Sequence, residues 1–144
     1  MHKGREMTLW QFVQRHVKTK VDFDGKFGAQ CVDLFRQYCK DVLGIGHTGA
    51  VVGAKDLVER YGALPKEREN FALVTDRYNV MPGDVAVWGA TGSNPYGHVA
   101  IVLDAGTGGI VVFEQDGFAQ DGAKIAERST DGVIGYLRKY PQGA

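Results

Sequence analysis

Hydrophobic and polar positions along the chain fall into two regimes. Up to about residue 62 the apolar residues recur at helical spacing. Leu9, Phe12, Val13, His16 and Val17 form one face, and Thr8 with Gln11 supplies a capping box at its start. A second helix is expected from about Gln30 to Leu43, turning Cys31, Leu34, Phe35, Tyr38, Cys39 and Val42 inward, with Gly44 as its stop. Ala54 to Tyr61 reads as a shorter third helix, with Leu57, Val58 and Tyr61 on one side and Gly62 after it. The stretch from Lys66 to Tyr78 fits neither period.

After Met81-Pro82-Gly83-Asp84 the pattern changes to short β-branched runs separated by glycine-rich turns. Val85–Trp88, Val99–Leu103, Ile110–Phe113 and Val133–Leu137 are the expected strands. Helices followed by an antiparallel meander make an α+β fold. A length of 144 residues suits one domain, here residues 8–140. Residues 1–7 lack the apolar stretch of a signal peptide and read as a tag or a disordered end.

Composition narrows the function by exclusion. The formal net charge is zero and no basic run is present, which argues against nucleic acid as the main partner. No apolar stretch approaches membrane-spanning length, so membrane insertion is not expected. The two cysteines, Cys31 and Cys39, lie eight residues apart on one expected helix. That places them about 12 Å apart along its axis, too far for a disulfide.

Candidate chemistry concentrates between Asp22 and Asp33. A thiol at the first turn of a helix sits in the positive field of unpaired backbone N–H groups, which favours a nucleophilic thiolate. Cys31 has that position, although buried filler is the commoner fate of a lone cysteine. His98 stands between the Pro95-Tyr96-Gly97 turn and an apolar strand, so its imidazole should emerge at a strand end beside a cleft. Glu114 ends the next strand, where a carboxylate would hold the imidazole in one tautomer. Asp116, two residues on, shares that side if the strand continues. The order Cys, His, acid follows nucleophile, base and orienter. The same segment spaces Asp22, Asp24 and Asp33 at positions 1, 3 and 12 of a twelve-residue span, as in an EF-hand. Lys26 and Phe27, at positions 5 and 6, exclude the standard form, while Gly28 at position 7 offers a carbonyl. The plain alternative is an Asx-turn loop.

Four ordered blocks carry a resemblance. Gly28–Asp33, Pro82–Trp88, Gly97–Val102 and Phe113–Asp116 are similar to the signature segments of CHAP domains, the cysteine, histidine-dependent amidohydrolase/peptidase modules of phage endolysins and bacterial cell-wall hydrolases. The resemblance implies a papain-like fold of the NlpC/P60 group and hydrolysis of amide bonds in bacterial peptidoglycan, as endopeptidase or N-acetylmuramoyl-L-alanine amidase. It implies Cys31 as nucleophile, His98 as base and Glu114 as orienter, with Gln30 and the Cys31 N–H as oxyanion hole. Asp116 stands where these domains usually carry asparagine, and an ionised carboxylate cannot donate a hydrogen bond. It further implies structural calcium on Asp22, Asp24 and Asp33, with main-chain oxygens at Lys26 and Gly28. A phage enzyme made in the host cytoplasm, acting on the wall after release and aided by a further wall-binding domain or subunit, is the expected setting. The rival is a non-catalytic CHAP-like module that binds the wall or serves in phage structure.

Overall fold

The computed structural model describes residues 7–25, 28, 30–46, 49, 51–106 and 108–141. Lys26 and Phe27 of the acidic loop therefore lie outside the described residues. Four helices precede a six-stranded sheet: α1 (Leu9–His16), α2 (Cys31–Asp41), α3 (Asp56–Glu59) and α4 (Pro65–Asn70), then β1 (Phe71–Val74), β2 (Val85–Trp88), β3 (His98–Ala105), β4 (Ile110–Glu114), β5 (Lys124–Arg128) and β6 (Val133–Lys139). Each pair of neighbouring strands is antiparallel, in the order β1-β6-β2-β3-β4-β5.

The expected capping box at Thr8 forms, with Gln11 N–H donating to Thr8 Oγ1 at 3.1 Å and Thr8 N–H to Gln11 Oε1 at 2.9 Å. At the end of α2, Gly44 takes φ +68° and the Ile45 N–H reaches back to the Cys39 carbonyl at 2.8 Å. That is the glycine stop the sequence predicts. The third helix differs. Only Asp56–Glu59 is α-helical, and a 3-10 turn covers Tyr61–Ala63. Arg60, at φ −114° and ψ 21°, leaves the helical path just before Gly62.

The sheet corrects the meander. β6 returns past three strands to lie between β1 and β2, so the last strand is internal and β5 becomes an edge. Its Leu137 pairs with both Leu73 and Val85. β1 emerges from the stretch that fitted neither period, because α4 runs into it with no intervening turn. β5 carries three charged residues in five and an exposed Ile125, so its pattern does not stand out.

One face of the sheet receives α1 and α2. Phe12, Val13, Leu34, Phe35, Tyr38, Val85, Val87, Val99, Ile101 and Phe113 are buried there together. Phe12 meets Tyr38 and Phe113 edge-on, with centroids 5.8 and 5.9 Å apart. The other face carries a smaller cluster of Ala86, Trp88, Ala100, Val102, Ile110, Val112 and Tyr136. Asp84 of the Pro-Gly-Asp turn is buried and gripped at both oxygens by Arg138, at 2.9 and 2.8 Å. That motif is therefore a structural anchor between the start of β2 and the end of β6.

Candidate active site

The start of α2 and the start of β3 meet at one end of the sheet. Gln30 caps α2 in an extended conformation, and its N–H donates to Asp33 Oδ2 at 3.0 Å. Cys31 is the first helical residue, half-buried and free of any disulfide. It thus occupies the position expected for it, beside N–H groups that have no partner within the helix.

His98 opens β3 directly after Gly97. That glycine has φ +76°, and a Cβ there would lie 2.4 Å from the Trp88 carbonyl oxygen and 2.9 Å from Lys55 Cβ. Only glycine fits a left-handed residue against a backbone so close. The loop before it is braced by Asn94, whose side chain donates to the Gly97 carbonyl and accepts from the Tyr96 N–H. The Tyr96 carbonyl accepts from the Lys55 N–H at 3.0 Å, tying the loop to the approach of α3.

His98 Nε2 lies 3.0 Å from Glu114 Oε1, and the Cys31 thiol acts on the same ring. With Nε2 facing Glu114, Nδ1 is left for the sulfur. Burial pulls the imidazole down. The hydrogen bonds and charges of Cys31 and Glu114 outweigh it, and the ring is raised to about 9. Burial likewise pushes Glu114 up, but His98 and Arg128 overcome it and hold the carboxylate at about 2. The pair is thus imidazolium and carboxylate at neutral pH. Trp88 packs beside the histidine, ring centroids 5.6 Å apart.

Asp116 stands differently from Glu114. β4 ends at Glu114, and Asp116 begins a turn in which its Oδ1 accepts from the N–H groups of Phe118 and Ala119, at 2.8 and 3.3 Å. It lines the cleft, while Glu114 makes the bond to His98 Nε2. Two contributors went unnamed in the sequence reading. Arg128, from the edge strand β5, forks onto both oxygens of Glu114. Gln115 is fully buried, and its Oε1 accepts from the Val21 N–H at 2.8 Å while its Nε2 donates to the carbonyls of Val21 and Gln30, at 2.7 and 2.8 Å. An amide next to the orienting acid was visible in the sequence; its partners, 94 and 85 residues away, were not.

These residues open into a cleft of about 810 Å³ whose lining includes Val52, Tyr96, Gly117 and Phe118. Phe118 is 70% exposed. Beside it, ligand oxygens of Asp22, Asp24 and Asp33 all lie within 4.8 Å of one another. Burial first, then the charges of Asp24 and Asp22, hold Asp33 above the ordinary carboxylate range against the pull of the Gln30 N–H. Three convergent carboxylates suit a hard divalent cation. Gly28, with φ +74°, follows in the same loop. No helix among the described residues is long and apolar enough to cross a membrane.

Comparison with known proteins gives consistent results. The model of the CHAP domain family matches residues 20–116. The endolysin PlyTW of Staphylococcus phage Twort is 33% identical over 94 residues, 65% of this chain and 19% of that protein. The D-alanyl-L-alanine endopeptidase of Streptococcus phage B30 is 37% identical over 107 residues, 71% of this chain and 22% of that one. The chain thus spans about a fifth of the length of these relatives. Among solved structures, the endolysin LysIME-EF1 superposes with a TM-score of 0.66 at 23% identity, over 92% of this chain and 63% of its own. Ly7917, also solved with the hydrolysing product of MDP, reaches 0.61 at 22% identity, over 89% and 60%. At these identities the two structures speak for the fold.

Proposed function

This chain belongs to the CHAP domain family, and from that premise we propose that it is a peptidoglycan hydrolase working by cysteine-nucleophile acyl transfer. The observation that carries the reading is the continuous relay from Cys31 through His98 to Glu114 at the floor of an open cleft. We read the α+β architecture, a helix-borne cysteine facing a sheet-borne histidine, as papain-like.

The Cys31 sulfur, its proton resting on His98, attacks the carbonyl carbon of an amide in the stem peptide, the cross-bridge or the sugar–peptide link. The carbonyl π pair moves onto oxygen. Gln30 and the Cys31 N–H donate to that oxyanion, a contact worth about 3 kcal/mol in comparable sites. Collapse expels the amine, which takes the His98 proton, and leaves a thioester. His98, now neutral, accepts a proton from water as its oxygen attacks the thioester. The adduct collapses by breaking the carbon–sulfur bond, which returns the Cys31 thiolate beside the His98 imidazolium, and the carboxylic acid released gives its remaining proton to solvent. Glu114 keeps one ring tautomer throughout and balances the imidazolium. Asp116 serves this site through the turn that carries Phe118.

Asp22, Asp24 and Asp33 would hold calcium, with main-chain oxygens of Lys26 and Gly28 completing the set. The ion supplies charge balance and bracing to the loop ahead of Cys31. The setting that goes with this function is a phage enzyme acting on the wall after release from the host cytoplasm, with a further wall-binding domain or subunit.

The test is the Cys31→Ala variant on purified bacterial cell walls. Loss of turbidity should cease while the melting temperature stays within a few degrees of the parent. Undiminished clearing would sink the enzymatic reading and favour the non-catalytic module. Mass spectrometry of the wall fragments then names the bond from its new termini.

A further inference from the structure

We propose that Arg128 is a positioning residue of the catalytic relay, acting on His98 through Glu114. The inference rests on the enzymatic reading above and adds a member that lies outside the cysteine, histidine and acid.

Glu114 is only 2% exposed. A carboxylate so buried is costly unless its oxygens are occupied by strong donors. Arg128 occupies both. Its Nε donates to Oε1, the oxygen that also faces His98 Nε2, and its Nη2 donates to Oε2 at 2.9 Å. A carboxylate held by one bond can rotate about its last torsion, whereas a two-toothed guanidinium fixes its plane. The direction in which Oε1 meets the imidazole is therefore set by Arg128, and with it the direction in which the opposite ring nitrogen meets Cys31.

Trp88 closes the arrangement. The Arg128 guanidinium lies over its ring at 5.5 Å from the centroid, and the same indole packs against His98 at 5.6 Å. Arginine, carboxylate, imidazole and indole thus form a closed ring of contacts drawn from β5, β4, β3 and β2. His98, Glu114 and Arg128 share one sheet face, where the intervening Ala100 and Ala126 leave room for the long side chain to lean across.

The charges around Glu114 support this role. His98 approaches from β3 and Arg128 from β5. Lys124, paired opposite Glu114 in the register, turns its ammonium to Asp121 at 3.2 Å. Cys31 faces His98 from α2, and Asp116 acts on Arg128 across the turn. Arg128 is thus the cation, other than the catalytic imidazole, that holds Glu114 ionised.

The experiment compares Arg128→Gln and Arg128→Lys by NMR titration of the labelled His98 ring, with wall clearing measured alongside. Removing the cation leaves the Glu114 charge to His98 alone, so in R128Q the ring should titrate about half a pH unit or more above wild type. Clearing should slow about tenfold or more as the imidazole loses its alignment. R128K keeps the charge without the fork, so its ring should titrate near wild type while clearing recovers only in part. A folded R128Q whose ring titrates as in wild type overturns the proposal, as does an R128K that clears walls at the full rate. If R128Q fails to fold, R128K decides. Should wild type itself leave walls intact, the enzymatic reading falls, and the titration still tests Arg128.

Discussion

At the scale of single residues, the site is governed by who shares a proton with whom. His98 is raised to about 9 from an ordinary 6.5, because Cys31 and Glu114 overrule its burial. Glu114 is lowered to about 2 from 4.5 by His98 and Arg128. A raised histidine contributes stability that is fully present below 6.5 and lost as pH climbs through 9. A depressed glutamate contributes stability that is present above 4.5 and lost as pH falls through 2. Both contributions are complete only between about 4.5 and 6.5. The melting temperature should therefore peak in that window, with the relay worth on the order of 3 kcal/mol there. A His98→Gln variant should flatten the alkaline decline in thermal scans across pH. A decline that stays as steep without the imidazole would assign it to other groups.

At the scale of elements, catalytic geometry depends on how two chain segments end. α2 begins one residue after Gln30, so the amide stays exposed at the cleft while Cys31 enters the first turn. β3 begins at His98 because Gly97 turns under the Trp88 carbonyl. Gly97→Ala places a methyl group into that carbonyl and strains a left-handed residue. It should cost about 2 kcal/mol or more and slow wall clearing about tenfold. Thermal melts and turbidity assays together read both effects; a variant with wild-type melting and activity would show that the turn is not needed to present His98. Thr8, Gln11 and Gly44 act through partners within six residues, so their signals survive in the sequence. β5 is held by its pairing with β4 rather than by its own apolar pattern, and only the assembled sheet reveals it.

At the scale of the whole molecule, distant segments are coupled through buried amides and carboxylates. Gln115 mimics a strand partner for Val21 and also holds the Gln30 carbonyl, joining the acidic loop, the nucleophile helix and the end of β4. An ion bound by Asp22, Asp24 and Asp33 would therefore stiffen more than its own loop. Chelation with EDTA should lower the melting temperature by several degrees and reduce wall clearing, and added calcium should restore both. Binding to the folded state alone contributes about 2.7 kcal/mol at a hundredfold excess over Kd, enough to register in a melt. If chelation alters neither, the loop is an Asx turn and its carboxylates need no cation.

What the sequence by itself determined is local: the helical and strand periods, the cap and stop of the helices, a thiol at a helix start, a histidine at a strand start and an acid at a strand end. Each follows from neighbours within a turn or a strand's length. It also carried, as four ordered blocks, the family to which the chain belongs. Tertiary structure alone decided the rest. The insertion of β6 beside β2 reflects which edge is available once the other strands are paired. The assignment of Glu114 to His98, and of Asp116 to its own turn, follows from where β4 stops. Arg128 and Gln115 acquire their roles because burial forbids unpaired carboxylates and carbonyls, whatever their distance along the chain. That constraint acts through space, and a linear pattern of hydrophobic and polar positions does not record it.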